Sequence, residues 1–180
     1  MFRNTDSHYG LVAKFLHWII GVLIIGLIWL GWYMVDLTYF DRWYNESLTS
    51  HKALGLMVFA LACCKILWML ANRAPPLPST IAGWQRAAAN GMHYLLVAMM
   101  LLIPVSGYLI STSAGQAVDI FGWLEVPAVF KIETNVRELA IDVHYYLAYG
   151  CAAAIAGHAL VAIKHQFLDK DGTLARMLWE

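Results

Sequence analysis

Charge is scarce in this chain. Only 13% of its 180 residues are Asp, Glu, Lys or Arg, about half the share of an ordinary soluble domain. The two signs cancel to a formal net charge of +0, so no basic surface invites a nucleic acid and no such partner is expected. Cysteine is equally sparse: Cys63, Cys64 and Cys151 all sit in apolar stretches. They do not form C-x-x-C-H, which excludes covalent c-type haem attachment, and they read as small core residues. Repeats and low-complexity tracts are absent too, which removes solenoids and disordered linkers.

What is abundant is hydrophobic length: 61% of the residues are apolar. Uncharged runs extend over 15–35, 87–118 and 143–163, and a further run over 53–72 is broken only by Lys65. A helix needs about 20 apolar residues to cross a hydrocarbon core, and each run suffices. The expected fold is all-α and integral to the membrane, a four-helix transmembrane bundle forming a single unit over residues 1–180. Predicted helices fall at 12–34, 50–72, 89–112 and 141–165. Ser47, Thr49 or Ser50 is the expected cap of the second, and Pro75-Pro76-Leu77-Pro78 stops whatever follows it. The first span lies too near the N-terminus to follow a separate signal peptide, lacks a small-residue cleavage site, and reads as a retained helix.

Orientation follows from the cations. With the termini and the 73–88 loop on one side, that side holds Arg3, Lys14, Lys65, Arg73, Arg86, Lys164, Lys170 and Arg176. The other holds only Arg42, Lys52, Lys131 and Arg137. The excess predicts that both termini are cytoplasmic.

That topology gives each histidine a depth. His51 opens the second helix and His144 the fourth at the outer level, where they are alone. His17 and His158 each lie about one turn inside the inner boundary, on the first and fourth helices. His144 and His158 are fourteen residues apart, nearly four turns, so they share a helix face at a separation of roughly 21 Å. Small residues stand four positions after each of the four: Gly21, Gly55, Ala148 and Ala162. A flat macrocycle against the helix needs such room, although small residues also serve helix packing in membranes. Imidazole is an axial ligand of haem iron, and ionisable groups inside a membrane are presumptively functional. Zinc fits less well, because its ligands converge on one point whereas these divide between two levels. His17, His51, His144 and His158 are therefore the expected metal ligands.

The remaining histidines are read differently. His8 sits in the polar lead and is expected to face solvent. His93, at the inner start of the third helix, is a candidate to bond a haem propionate or quinone headgroup, with a structural role as the alternative. His165 lies beside Lys164 and the polar 169–171 run, and is assigned a surface role, satisfied by water or headgroups, with contact to a haem propionate as the alternative. Lys65 is read either as snorkelling to the inner interface or as neutralising a propionate.

In order along the chain, several segments resemble the bacterial cytochrome b561 family, which is related to the cytochrome b subunits of hydrogenases and formate dehydrogenases. They are Tyr9 through His17-Trp18, His51-Lys52-Ala53-Leu54-Gly55-Leu56, His93-Tyr94-Leu95-Leu96 with Pro104-Val105-Ser106-Gly107, and Phe121-Gly122-Trp123 before Pro127. His144, Gly157-His158, His165 and Asp171-Gly172-Thr173-Leu174 before Arg176-Met177 complete the set. The resemblance implies two non-covalent b-type haems, with His17 paired to His158 and His51 to His144. It also implies a multi-pass protein of the bacterial inner membrane that exchanges electrons with ubiquinone or a similar quinone. A small diffusible donor at the outer face and an oxidoreductase activity, superoxide:quinone oxidoreduction among the known ones, follow from the same likeness. The rival reading is a haem-bearing anchor subunit of a larger dehydrogenase or hydrogenase-type complex, docked through the long outer loop. Lys65 stands where the family often has arginine, which argues against a bidentate guanidinium clamp at that point.

Overall fold

The computed structural model describes residues 1–78 and 81–178. Four long helices dominate it: α1 (Leu11–Val35), α2 (Tyr44–Ala71), α3 (Gly83–Thr112) and α4 (Thr134–Lys164). All four are long and apolar enough to cross a membrane. A π-helical turn, His165–Asp169, continues α4, and a short α5 (Ala175–Leu178) ends the described chain.

The helices pack in chain order, α1 on α2, α2 on α3 and α3 on α4, while α1 and α4 barely touch. Alanines let the backbones approach: Ala53 and Ala62 are wholly buried, and Ala13, Ala140 and Ala154 nearly so. Methionines fill the spaces beside glycine, Met99 against Gly150 and Met92 against Gly157, as a flexible side chain suits an irregular gap. The outward faces carry large apolar groups such as Ile25, Trp29, Leu67, Leu70, Leu102 and Leu160. A surface that oily is at home in lipid and not in water.

Both termini lie at one end of the bundle, and that end is laced together. Arg176 donates from Nε to the Ser7 carbonyl at 2.8 Å and from a terminal guanidinium nitrogen to the Pro76 carbonyl at 3.0 Å. Trp18 donates its indole N–H to the Met177 carbonyl at 3.0 Å. The opposite end carries a small antiparallel hairpin, β1 (Val118–Ile120) with β2 (Leu124–Val126), in the register Val118 to Val126. Phe121 and Gly122 turn it with positive φ, and the Asp119 carboxylate accepts from the Gly122 N–H at 2.9 Å.

Three expectations need correction. Helices α2, α3 and α4 begin about two turns before their predicted starts, at Tyr44, Gly83 and Thr134. The polar residues there, including Ser47, lie inside helix; Ser47 is buried, and Trp43 occupies the cap position without a side-chain hydrogen bond. Helix α3 is instead closed by Gln85, whose carbonyl oxygen accepts from the Ala82 N–H at 3.3 Å. Cys151 is buried as expected, but Cys64 faces outward.

Candidate metal centres

At the hairpin end, α2 and α4 bring His51 and His144 together, with ring centres 6.1 Å apart. They share a cavity of about 260 Å³ whose lining includes Gly31, Gly55, Gly107, Tyr108 and Ala148. Val118 of the hairpin, itself buried, also lines it. Tyr108 pins the following loop, donating to the Pro127 carbonyl at 2.8 Å and accepting from the Val129 N–H at 3.0 Å.

His144 is held by its Nδ1, which faces the Ile103 carbonyl at 3.0 Å and Ser106 Oγ at 3.1 Å. Ser106 itself donates to Ile103 at 2.8 Å, so Nδ1 is the protonated nitrogen and Nε2 is left with its lone pair. A metal-binding histidine is ordinarily fixed in this way through its other nitrogen. His51 differs: its Nδ1 is buried without a hydrogen-bond partner.

Sequence reasoning looked for small residues on each histidine's own helix. At Gly55 and Gly21 the space a side chain would fill is indeed open. The closer accommodation lies on the facing helices and was missed. A Cβ at Gly107 would stand 3.0 Å from His144 Cε1, and one at Gly31 would stand 3.4 Å from His51 Cε1. Ser106-Gly107 stands in a segment that resembles the cytochrome b561 family, but no role toward His144 was read from it, although Pro104 marks the place in α3 where the sequence departs from a plain membrane helix.

At the termini end, His17 and His158 stand 6.2 Å apart between ring centres. His93 joins them from α3, 5.5 Å from His158. Lys65 lies within electrostatic range of both His17 and His93. The four depth-assigned histidines thus come together in the expected pairs, and His93 and Lys65 fall at the expected level.

His8 is exposed and bonded to Ser7 Oγ at 2.6 Å. The reading of His165 as a surface residue does not hold. It is buried, at 8% exposure, because the π turn and the left-handed Lys170 fold the chain back upon it. Asp171 then meets His165 Nδ1 at 2.6 Å, and Asp169 approaches the same nitrogen at 3.1 Å. Burial pushes the Asp171 carboxyl up, but hydrogen bonds from Thr173 and His165 outweigh it and hold the group below its ordinary value.

The residues fit a b-type haem. Imidazole would serve as a ligand of haem iron, and two imidazoles that shared one metal would need ring centres on the order of 6 Å apart. Both pairs meet that spacing, and the hairpin-end pair adds a cavity, a facing glycine and an unpartnered buried nitrogen. The arrangement defines a class: a membrane helix bundle with paired histidines at two depths.

Comparison with known proteins narrows the class. The sequence profile of prokaryotic cytochrome b561 matches residues 8–180. Cytochrome b561 homolog 2 of Escherichia coli K12 is 36% identical over 178 residues, covering 98% of this chain and 94% of that protein. Cytochrome b561 homolog 1 of the same organism is 24% identical, covering 96% of this chain and 97% of that one. A probable superoxide oxidase CybB of Yersinia pestis is 26% identical, covering 94% and 95%. The chain belongs to the prokaryotic cytochrome b561 family, as a multi-pass bacterial membrane protein that transfers electrons across the membrane, and the family implies b-type haem.

Proposed function

We propose that the chain holds two b-type haems, one between His51 and His144 and one between His17 and His158. Through them it passes electrons between a small donor and the quinone pool of the bacterial inner membrane. The observation that carries this reading is the near-equal spacing of the two histidine pairs, 6.1 and 6.2 Å, at the two ends of one bundle. Haem supplies one-electron chemistry at its iron; the chain supplies the rest. His144 presents Nε2 because Ile103 and Ser106 occupy Nδ1. Val118 of the hairpin lines the cavity, and Met99 and Met100 line it among mostly apolar neighbours, an environment that disfavours water.

The excess of cations at the termini end supports a cytoplasmic placement of that end, and in this reading the donor approaches the hairpin end. Superoxide is the donor we favour. It is an anion, and Lys52 lines the hairpin-end cavity beside His51, supplying local positive charge. The likeness to a probable superoxide oxidase, at 26% identity, supports the same choice. Haem content by pyridine haemochrome should approach two per chain, and superoxide should reduce the haem bands of the purified protein. A folded preparation with a single haem, or bands that ignore superoxide, would sink the corresponding half of the reading.

A further inference from the structure

The seam between α1 and α4 is tied at one end of the bundle and lightly bridged at the other. At the termini end the Trp18 indole of α1 donates to the Met177 carbonyl beyond α4, and Arg176 joins the same segment to Ser7 and Pro76. The two helices themselves barely touch. Toward the hairpin end a ring contact crosses the seam, Trp32 with Tyr149 at 6.0 Å between centres, and Tyr145 packs on Tyr149 at 4.7 Å. The hairpin-end cavity reaches the outer surface at these rings. Its exposed lining residues are Trp32 and Val35 of α1 and Tyr145 and Tyr149 of α4, at 46 to 68%. The lining contributed by α2, α3 and β1 is buried or half-buried.

The way in from the hairpin side is obstructed. Val118 is buried against the cavity, and Tyr108, another lining residue, holds the 127–129 loop with two hydrogen bonds. Entry under the hairpin would break both and unseat β1. At the seam only exposed side chains need to turn, and rotamer changes of exposed groups are fast. Behind the rings the lining is small: Gly31 precedes Trp32 and Ala148 precedes Tyr149. Gly31 puts no side chain between the seam and His51, whose Cε1 lies 3.4 Å from where a Cβ would stand. We propose that the aromatic seam between α1 and α4 is the gate through which haem enters and leaves the site between His51 and His144. The assignment rests on the hairpin-end haem proposed above and adds its route.

The chemistry of the seam suits that occupant. Haem is a flat apolar macrocycle carrying two carboxylates. Trp32, Tyr145 and Tyr149 offer flat aromatic faces to such a ring. Indole and phenol groups belong to the membrane–water interface, where the carboxylates stay hydrated while the macrocycle slips between the helices. Lys52 lines the cavity within, a cation to meet a carboxylate. A lipid acyl chain also fits an apolar groove but gains nothing from that cation.

The test uses the full haem-loaded chain in one detergent, with excess apomyoglobin to capture haem that leaves and added haemin to refill the emptied site. The hairpin-end haem is recognised by the absorption bands that His144→Ala lacks. A gate sets the barrier and not the affinity, so widening it speeds exit and entry alike. Trp32→Ala and Tyr149→Ala should each raise both rates about tenfold, the worth of one aromatic pair, with the ratio of the rates unchanged. Trp32→Phe keeps a ring and should stay near the wild type. Faster exit with unchanged entry means a damaged site, and unchanged rates in both alanine variants mean a groove for lipid only; either result overturns the gate. So does Tyr108→Phe speeding both rates while Trp32→Ala does not, because haem then passes under the hairpin. A wild type whose spectrum matches that of His144→Ala has no hairpin-end haem, and the proposed pairing falls together with the gate.

Discussion

The two ends of the bundle solve the same problem with different means. At the hairpin end two histidines stand alone, one anchored through Nδ1 to Ile103 and Ser106, with glycines on the facing helices to admit their rings. At the termini end three histidines and a lysine crowd one level, and the ring closest to His158 is His93, not His17. The first end reads as a site of fixed geometry with no alternative ligand. The second is polar, basic and redundant, as suits a level where charge must be balanced and protons reached. The contrast teaches that equal pair spacing does not make the sites equivalent: the hairpin end should be brittle and the termini end forgiving.

The largest effect should follow from removing a proposed haem ligand at the end where no second candidate stands nearby. His144→Ala should abolish the hairpin-end haem and retain the other, leaving about one haem per chain by pyridine haemochrome and one transition in a redox titration. His158→Ala should also lose one haem, the other one. The pairing is wrong if His51→Ala and His158→Ala lose the same transition.

Next in size is the glycine that faces His144. Gly107→Ala places a Cβ tight against the imidazole ring, at 3.0 Å from Cε1 and 3.3 Å from Nδ1, so that the ring would have to give by a few tenths of an ångström. The ring cannot withdraw freely, because the Ile103 carbonyl holds it. Haem at the hairpin end should fall to sub-stoichiometric occupancy, with a cost of about 1–3 kcal/mol for overpacking. Gly31→Ala, whose Cβ would meet His51 Cε1 at 3.4 Å, should be tolerated with nearly full haem. If the two variants behave alike, the facing-glycine account fails.

The termini end should show its tolerance at His93. His93→Phe removes the third imidazole but keeps its bulk, and both haems should remain, with the potential of one shifted and the other unmoved. Complete loss of a haem in this variant would make His93 an axial ligand in place of His17, a direct inversion of the proposed pair.

The sequence made the frame of this comparison legible and hid its finish. Depth and helical phase are one-dimensional quantities, so hydrophobic run length placed four helices and the fourteen-residue interval placed His144 over His158. What faces a histidine from another helix depends on how helices rotate against each other. That is why Gly55 and Gly21 were given a role beside the histidines while Gly31 and Gly107 were not. The starts of α2, α3 and α4 were placed late because Asn45, Glu46, Gln85, Arg86, Arg137 and Glu138 look like loop. In fact a membrane helix extends beyond the hydrocarbon wherever its last turns find water or headgroups. His165 was misread for a related reason. Depth alone put it at the surface, but a π turn and a left-handed Lys170 bring Asp171 back over it, and no periodicity announces a reversal of that kind.

The smallest predicted effect probes the anchor that distinguishes the hairpin end. Ser106 is buried at 5% exposure, donates to Ile103 at 2.8 Å and lies 3.1 Å from His144 Nδ1. Removing its hydroxyl leaves Nδ1 its stronger partner, the Ile103 carbonyl at 3.0 Å, so the tautomer should persist and Nε2 should still be free. Ser106→Ala should therefore retain both haems. It should cost about 1 kcal/mol of stability, the ordinary worth of one hydrogen bond, seen as a small fall in the thermal midpoint. The potential of the hairpin-end haem should move, since hydrogen bonding to a ligating histidine raises its basicity, while the other haem serves as an internal standard. A shift confined to the termini-end haem would show that Ser106 does not act through His144. Loss of the hairpin-end haem would show that the serine, and not the backbone carbonyl, is the anchor.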